Sequence, residues 1–364
     1  MCRTCFAHGM VPRESRSMKI LYATYPMAFH TPGGGEMQLM AYREHLPAHG
    51  VDVRLFDPWA PKFLAHDLMH FFSCVGGSVH LCRFAKGIGL PLVISSSLWI
   101  TPQTRHLYPT EEIRLQLALA DRVVTNSQAE SNMLAEVLGL PAERFSVVYN
   151  GIADLFLQVA SPDLFRERFG IRGPFVLNVA NLEPRKNQLS LARAMKALPE
   201  HQLVLVGHRR DPEYASQVLR EGAGQVIHVG ALAHDELLLS AYRACDLFCL
   251  PSTLETPGLA ALEAAAQGAR LLLTSEGCCA EYFGARASYV DPAAPPESLA
   301  AGMRLALKRN RGQTASFDPA RFLWRNTVVD LKAVYADVLA SLGRSPQGGD
   351  GGLRGLGGAG RGRA

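Results

Sequence analysis

Two carboxylates stand eight residues apart in the stretch PSTLETPGLAALEAAAQG, residues 251–268. An apolar run, 247–250, leads through Pro251 and Ser252 into a loop that holds Glu255, and Glu263 follows inside the next helix. Between the acids falls a helix N-terminus, whose unpaired N–H groups and positive dipole end favour phosphate. The carboxylates can accept hydrogen bonds from the hydroxyls of a sugar and a ribose while the amides take a diphosphate. The pattern therefore suits a nucleotide-sugar better than a bare nucleotide. Thr256 is expected as the N-cap and Pro257 as the first helical residue. Gly258 then offers backbone to the ligand because it has no Cβ. The plain alternative is a solvated loop acid and a helix-surface acid. The Pro-Ser lead-in, the spacing and the small residues after Glu263 argue against it.

A second group lies in NVANLEPRKNQ, residues 178–188. A strand ending near Ala180 delivers Asn181, Arg185 and Lys186 to a loop, and Asn187 is placed to cap the next helix. Two cations beside a helix N-terminus suit a leaving diphosphate, where an isolated basic pair would be a solvated turn. The third is TPGGGE, residues 31–36, whose Gly34 and Gly35 let backbone approach a ligand at a helix start. It is not a dinucleotide fingerprint: GxGxxG is missing, and the best ribose acid, Asp57, is followed by Pro58. Gly207 and Gly230, each just after an apolar run, are as well explained by ordinary turns as by contact with a base or ribose. Ser97 and Trp99, past a first-half strand, are candidates for contact with the transferred sugar or the acceptor. His70 reads as a packed strand histidine.

These groups need elements that bring them together. Short apolar runs bounded by Gly, Pro, Asn or Ser predict strands at 19–24, 51–57, 69–74, 92–97, 122–126 and 146–149. The second half predicts strands at 175–179, 202–206, 225–229, 247–250, 269–274 and 287–290. Amphipathic segments at 36–49, 128–138, 187–198, 235–244 and 259–267 alternate with them, which predicts doubly wound α/β layers. Turn signals across 151–173 divide the chain into two such units, 18–160 and 161–318. Ligands of open α/β sheets sit outside the C-terminal strand ends, so two facing sheets would share one cleft. Residues 319–342 repeat apolar positions at helical spacing. Residues 1–17 are expected to be an extension outside the fold, and the Gly/Arg-rich tail 343–364 to be disordered.

The 364 residues, 48% hydrophobic and 19% charged, fit two globular domains. A net charge of +4, partly in the tail, gives no reason to expect a nucleic-acid partner. Eight cysteines are too few for a disulfide scaffold of this length, and Cys245, Cys249, Cys278 and Cys279 read as small buried thiols. The Cys2/Cys5 pair has no second half to complete a metal site. No apolar run reaches the roughly 18–20 residues of a membrane span, and the start lacks a secretory apolar core, so a cytoplasmic protein is expected.

Taken in order, ADRVVTNSQAE, VVYNGI, LEPRKNQ, the PSTLE lead-in and CCAEYFG…YVDP resemble segments of the retaining GT-B glycosyltransferases of the family 4 type, over roughly residues 18–342. The hallmark is Glu255 and Glu263 with seven residues between. The resemblance implies two facing Rossmann-like domains, with Glu255 on the donor sugar, Glu263 on the ribose, Lys186 on the diphosphate, and Gly258 and Leu259 acting through backbone N–H groups. It also implies that the loop at Gly33, Gly34 and Gly35 closes over the donor and that the last helix returns to the first domain. Two positions depart from the pattern: Ala180-Asn181 where many members carry Arg, and the segment at Ser95, Ser96 and Ser97 where many carry His.

The implied reaction moves a sugar from a nucleoside diphosphate to an acceptor hydroxyl with retention, by front-face attack. No cofactor is expected, and the chain has no Asp-x-Asp pair, so metal independence is expected. GDP-mannose is slightly preferred as donor, a glycan or lipid-linked oligosaccharide is expected as acceptor, and bacterial surface polysaccharide synthesis is the expected setting. A peripheral contact with the inner membrane face is left open, although no strongly basic amphipathic helix stands out in the first domain. The rival readings are a nucleotide-sugar epimerase on the same plan, an NAD-dependent oxidoreductase and a non-catalytic nucleotide-sugar binder.

Overall fold

Runs such as LMHFF, LVIS, LFCL and LLLT are apolar on both faces, so they are stable only where layers cover both sides. A computed structural model of the chain, describing residues 17–30, 32–312 and 317–344, arranges them in two parallel sheets. Residues 1–16 with Cys2 and Cys5, Thr31, and the tail beyond residue 344 lie outside the described residues. The first sheet contains β1 (Met18–Thr24), β2 (Val51–Leu55), β3 (Leu68–Phe72), β4 (Leu92–Ser95), β5 (Arg122–Thr125) and β6 (Phe145–Val147) in the order 2-1-3-4-5-6. The second contains β7 (Phe175–Val179), β8 (Gln202–Val206), β9 (Val226–Gly230), β10 (Leu247–Leu250), β11 (Leu271–Thr274) and β12 (Ser288–Val290) in the order 12-11-10-7-8-9. The chain is α/β and doubly wound, as expected, with a strand at each expected place.

The ends differ by a few residues. The strand expected to reach Asp57 stops at Leu55, ahead of the turn before Pro58. The first long helix, Gly34–His45, gives way to a 3-10 turn, Leu46–His49, where Pro47 cannot donate to an α-helical ladder. The expected helix 319–342 is a 3-10 turn, Pro319–Phe322, followed by a helix, Trp324–Ser341. Leu323 between them is extended.

Sheet order fixes where loops can meet. In each sheet the winding direction reverses once, between β1 and β3 in the first and between β7 and β10 in the second. Beyond such a reversal the two connections part to opposite faces and leave a crevice.

The Trp324–Ser341 helix buries Trp324, Val328, Leu331, Tyr335, Val338 and Leu339 against Ile20, Tyr22, Val93 and Val124 of the first sheet. His70 lies fully buried beneath it, with Nδ1 2.6 Å from the Tyr335 hydroxyl and Nε2 2.9 Å from Ser95 Oγ. Burial pushes this imidazole down to about 3, so it is neutral and structural. Two crossings join the layers. Ile152 N donates to Phe322 O (2.7 Å), and Trp324 N donates to Ile152 O (3.1 Å). Ile152, Phe156 and Ala160 already pack with the second sheet, so the chain joins that layer ahead of residue 161. Among the described residues, Cys74, Cys82, Cys245, Cys249, Cys278 and Cys279 are buried free thiols. No helix among them is long and apolar enough to cross a membrane.

Candidate functional site

The reversal in the second sheet brings the turn after β7 against the loop after β10. Thr253 N donates to Arg185 O (2.8 Å), which ties the two together. Lys186 Nζ donates to Glu255 Oε1 at 2.5 Å, with the side chains 13% and 5% exposed. Arg185 NH1 stands 4.0 Å from the same oxygen, while its NH2 donates to Glu183 Oε1 (3.1 Å). Burial pushes the Glu255 carboxyl up. The charges of Lys186 and Arg185 and the Lys186 hydrogen bond outweigh that push and hold it below the ordinary carboxylate value. Its backbone is equally fixed. Glu255 N donates to Glu276 O, Cys278 N donates to Glu255 O, and a Cβ on Gly277 would fall 2.0 Å from Glu255 O.

The following helix starts later than its sequence suggests. It spans Leu259–Ala266 with Gly258 at the N-cap, so Thr256 is not the cap and Pro257 is not the first helical residue. The reason is local: Gly258 has φ +83°, a left-handed conformation outside the helix. A Cβ there would also lie 3.0 Å from Leu250 and 3.2 Å from Glu255 Oε2. The first N–H groups of this helix thus open one residue beyond a bare glycine, beside the Lys186–Glu255 pair. One turn on, Glu263 is buried, accepting from the Tyr242 hydroxyl at Oε2 (2.7 Å) with His234 Nε2 3.2 Å from Oε1. The hydrogen bond to Glu263 raises His234 above the ordinary imidazole value, against the opposing effect of burial.

Asn187 occupies the N-cap position of the Gln188–Met195 helix but makes no side-chain cap bond. Its φ of +56° turns the amide outward, where Nδ2 donates to Pro251 O and Pro292 O (both 3.1 Å) and pins the loops. Asn181, Gly207 and Gly230 form a neighbouring group at the ends of β7, β8 and β9. Asn181 Oδ1 accepts from His208 N (3.3 Å), and Gly207 N donates to Gly230 O (2.9 Å). A Cβ on Gly207 would fall 2.0 Å from Ala180 O, so close backbone packing alone demands glycine there.

In the first sheet the reversal opens a pocket of about 220 Å³, lined by Thr24, Tyr25, Gly35, Ser73, Ser96 and Ser97 among others. Gly34 is the first residue of its helix, and a Cβ on it would lie 3.9 Å from the Leu259 side chain. The glycine turn of one lobe therefore abuts the helix start of the other. Ser97, at φ +43°, donates to Gln38 Oε1 (3.3 Å) and accepts from Asn126 Nδ2 (3.2 Å). Trp99 leaves this pocket. It packs against the core of the second sheet, with its buried indole N–H unpartnered.

Two acids escaped functional reading. Glu130, fully buried, accepts from Ser96 Oγ (2.6 Å), Leu98 N (3.0 Å) and Asn126 N (2.8 Å), so it holds the serine loop in shape. Glu281, from the second lobe, accepts from Gln128 N (2.8 Å), Ala129 N (3.0 Å) and the Tyr149 hydroxyl (2.8 Å) of the first. Both lie in quoted family segments, the only sequence signal for them. Glu263 was singled out, but its partner His234 was not, because nothing in the sequence links positions 29 apart across a helix and a strand. Among the described residues, no group of three or more His, Cys, Asp or Glu is arranged to hold a metal ion.

Residues 163–318 match the family model described as Glycosyl transferases group 1, and residues 64–154 match that of Glycosyltransferase Family 4. The chain belongs to the GT-B glycosyltransferases of the family 4 type. It is 29% identical over 258 residues to a D-inositol 3-phosphate glycosyltransferase of Acidothermus cellulolyticus, covering 62% of this chain and 55% of that one. It is 24% identical over 306 residues to the serotype-specific mannosyltransferase WbdA of Escherichia coli, covering 79% of this chain and 34% of WbdA. It thus spans about half of the first relative's length and a third of the second's. The fold is that of Anabaena Alr3699/HepE, solved in complex with UDP-glucose. That match has TM-score 0.70 and 24% identity and covers 89% of this chain and 100% of that one. Sucrose-phosphate synthase from Thermosynechococcus elongatus shares it at TM-score 0.66 and 20% identity, covering 90% and 98%.

Proposed function

We propose that this chain transfers a sugar from a nucleoside diphosphate sugar to an acceptor hydroxyl with retained configuration, without a metal ion. The observation that carries the reading is the Lys186–Glu255 pair, shielded from solvent at the reversal of the second sheet and adjoining the open start of the Leu259–Ala266 helix. The leaving group is an anion. Lys186, Arg185 and the first amides of that helix supply fixed positive charge where negative charge develops. Glu255, ionised by its neighbours, aims the Lys186 ammonium and accepts hydroxyls of the donor sugar through its other oxygen. Glu263 takes the ribose. The acceptor enters from the hydroxyl-lined pocket of the first lobe, and the departing phosphate oxygen takes its proton. Closure of Gly34 on Leu259 keeps water from the donor.

The relatives' names support a nucleotide-sugar donor and divide on the rest. WbdA is a serotype-specific mannosyltransferase, whereas HepE was solved with UDP-glucose. We take GDP-mannose as the first donor to test, a glycan or lipid-linked oligosaccharide as acceptor, and a cytoplasmic enzyme that meets the inner membrane face peripherally. The test is thermal stabilisation by UDP, GDP and ADP, followed by a radiolabelled donor panel with and without EDTA. A true ligand at 100 times its Kd adds about 2.7 kcal/mol of stability. No stabilisation by any of the three would overturn the reading, and loss of transfer in EDTA would overturn metal independence.

A further inference from the structure

Glu263 is not open to a ligand as it stands. Both oxygens are engaged, Oε2 by the Tyr242 hydroxyl and Oε1 by His234 Nε2, and the carboxylate side chain is 5% exposed against 44% for the imidazole. His234 thus stands between the acid and solvent. Its ring lies edge-on to Phe156, with centroids 5.9 Å apart, and among the described residues Glu263 and Asp235 are the charged groups that act on it. Asp235 itself is occupied in capping the Glu236–Ala244 helix, accepting from Leu237 N and Leu238 N. The titratable groups that face this imidazole are therefore Glu263 from its helix, Asp235 from its own loop and, across the carboxylate, Tyr242.

We propose that His234 guards the nucleoside subsite: its imidazole holds the Glu263 oxygen that a ribose hydroxyl requires, and donor binding exchanges imidazole for ribose. The inference rests on the reading of Glu263 as the ribose acceptor. Its direction with pH follows from linkage. The hydrogen bond to Glu263 keeps His234 protonated to higher pH in the free protein than in the complex, where that bond is lost. Binding then releases a proton, and affinity rises with pH through the imidazole range, from about 6.5 upward.

The experiment is calorimetric titration of UDP, GDP and ADP into the full chain and its His234→Ala and His234→Gln variants, between about pH 6 and pH 8.5. The phosphates titrate alike in all three proteins, so the ratio of affinities isolates the imidazole. At the acid end His234→Ala should bind about tenfold tighter than the parent, with the gap closing to about twofold at the alkaline end. Gln can donate to Glu263 but not take a proton, so its ratio to the Ala variant should not change with pH. A parent-to-Ala ratio that is constant with pH, or weaker binding by His234→Ala throughout, overturns the guard while leaving the donor site standing. Failure of every nucleotide to bind all three proteins overturns the donor site and the guard together.

Discussion

At the scale of single residues, the contact between Lys186 and Glu255 carries both stability and the proposed chemistry, and the two can be separated. Removing one partner of a buried pair leaves an uncompensated charge, at a cost of about 3–5 kcal/mol when nothing else helps. Arg185, 4.0 Å away, will offset part of that. Lys186→Ala should therefore lower the denaturant midpoint and reduce kcat by roughly 10²-fold or more. Adding Glu255→Gln should restore most of the midpoint but none of the turnover. Recovery of turnover in the double variant would show that the lysine acts only by neutralising the acid. Because the folded-state value of Glu255 is depressed, its stabilisation is full above the unfolded carboxylate range. It is lost as pH falls through the lowered value. The parent and Glu255→Gln should accordingly converge in stability toward acid pH. Both residues were legible because each ends a loop just past an apolar strand. Glu281 and Glu130 were not, since their work depends on partners that only the folded chain brings near.

At the scale of elements, the twelve strands were legible because a parallel strand covered on both faces must be a short apolar run between turn residues. The start of the Leu259–Ala266 helix was not. Thr-Pro is a good local signal for a first turn, but the left-handed Gly258 delays it, and the clamp of Gly277 on Glu255 fixes the loop from a distance. The Gln128–Leu138 helix shows the same lesson in its N-terminus. Ser127 Oγ satisfies Glu130 N (3.0 Å), as local capping rules expect, but Gln128 N and Ala129 N are satisfied by Glu281 of the other lobe. Glu281→Ala should cost about 1–2 kcal/mol, in the range of a lost cap. It should also raise amide exchange at Gln128 and Ala129 while sparing Glu130. Unchanged exchange at those two amides would mean that the lobes do not hold this contact in solution.

At the scale of the whole molecule, every acid and cation of the proposed donor site belongs to the second lobe, whereas the hydroxyl-lined pocket belongs to the first. Binding of a nucleotide and transfer to an acceptor therefore make different demands. The first needs one lobe intact, and the second needs the lobes in register. Besides the Glu281 contacts, the lobes are joined where the chain crosses, at Ile152 paired with Phe322 and Trp324. Gly151 lies in that crossing with no room for a side chain, since a Cβ would come 2.8 Å from the Trp324 ring and 2.9 Å from its backbone nitrogen. Backbone cannot yield as a flexible side chain can, so Gly151→Ala should push the crossings apart at a cost of about 1–3 kcal/mol. Neither sheet need be disturbed. Nucleotide Kd is then expected to stay within about twofold of the parent while kcat for transfer falls at least tenfold, a loss of about 1.4 kcal/mol of transition-state stabilisation. An equal loss of binding and transfer would place the damage in the second lobe itself. Unchanged transfer would mean that the crossing does not set the geometry in which donor and acceptor meet.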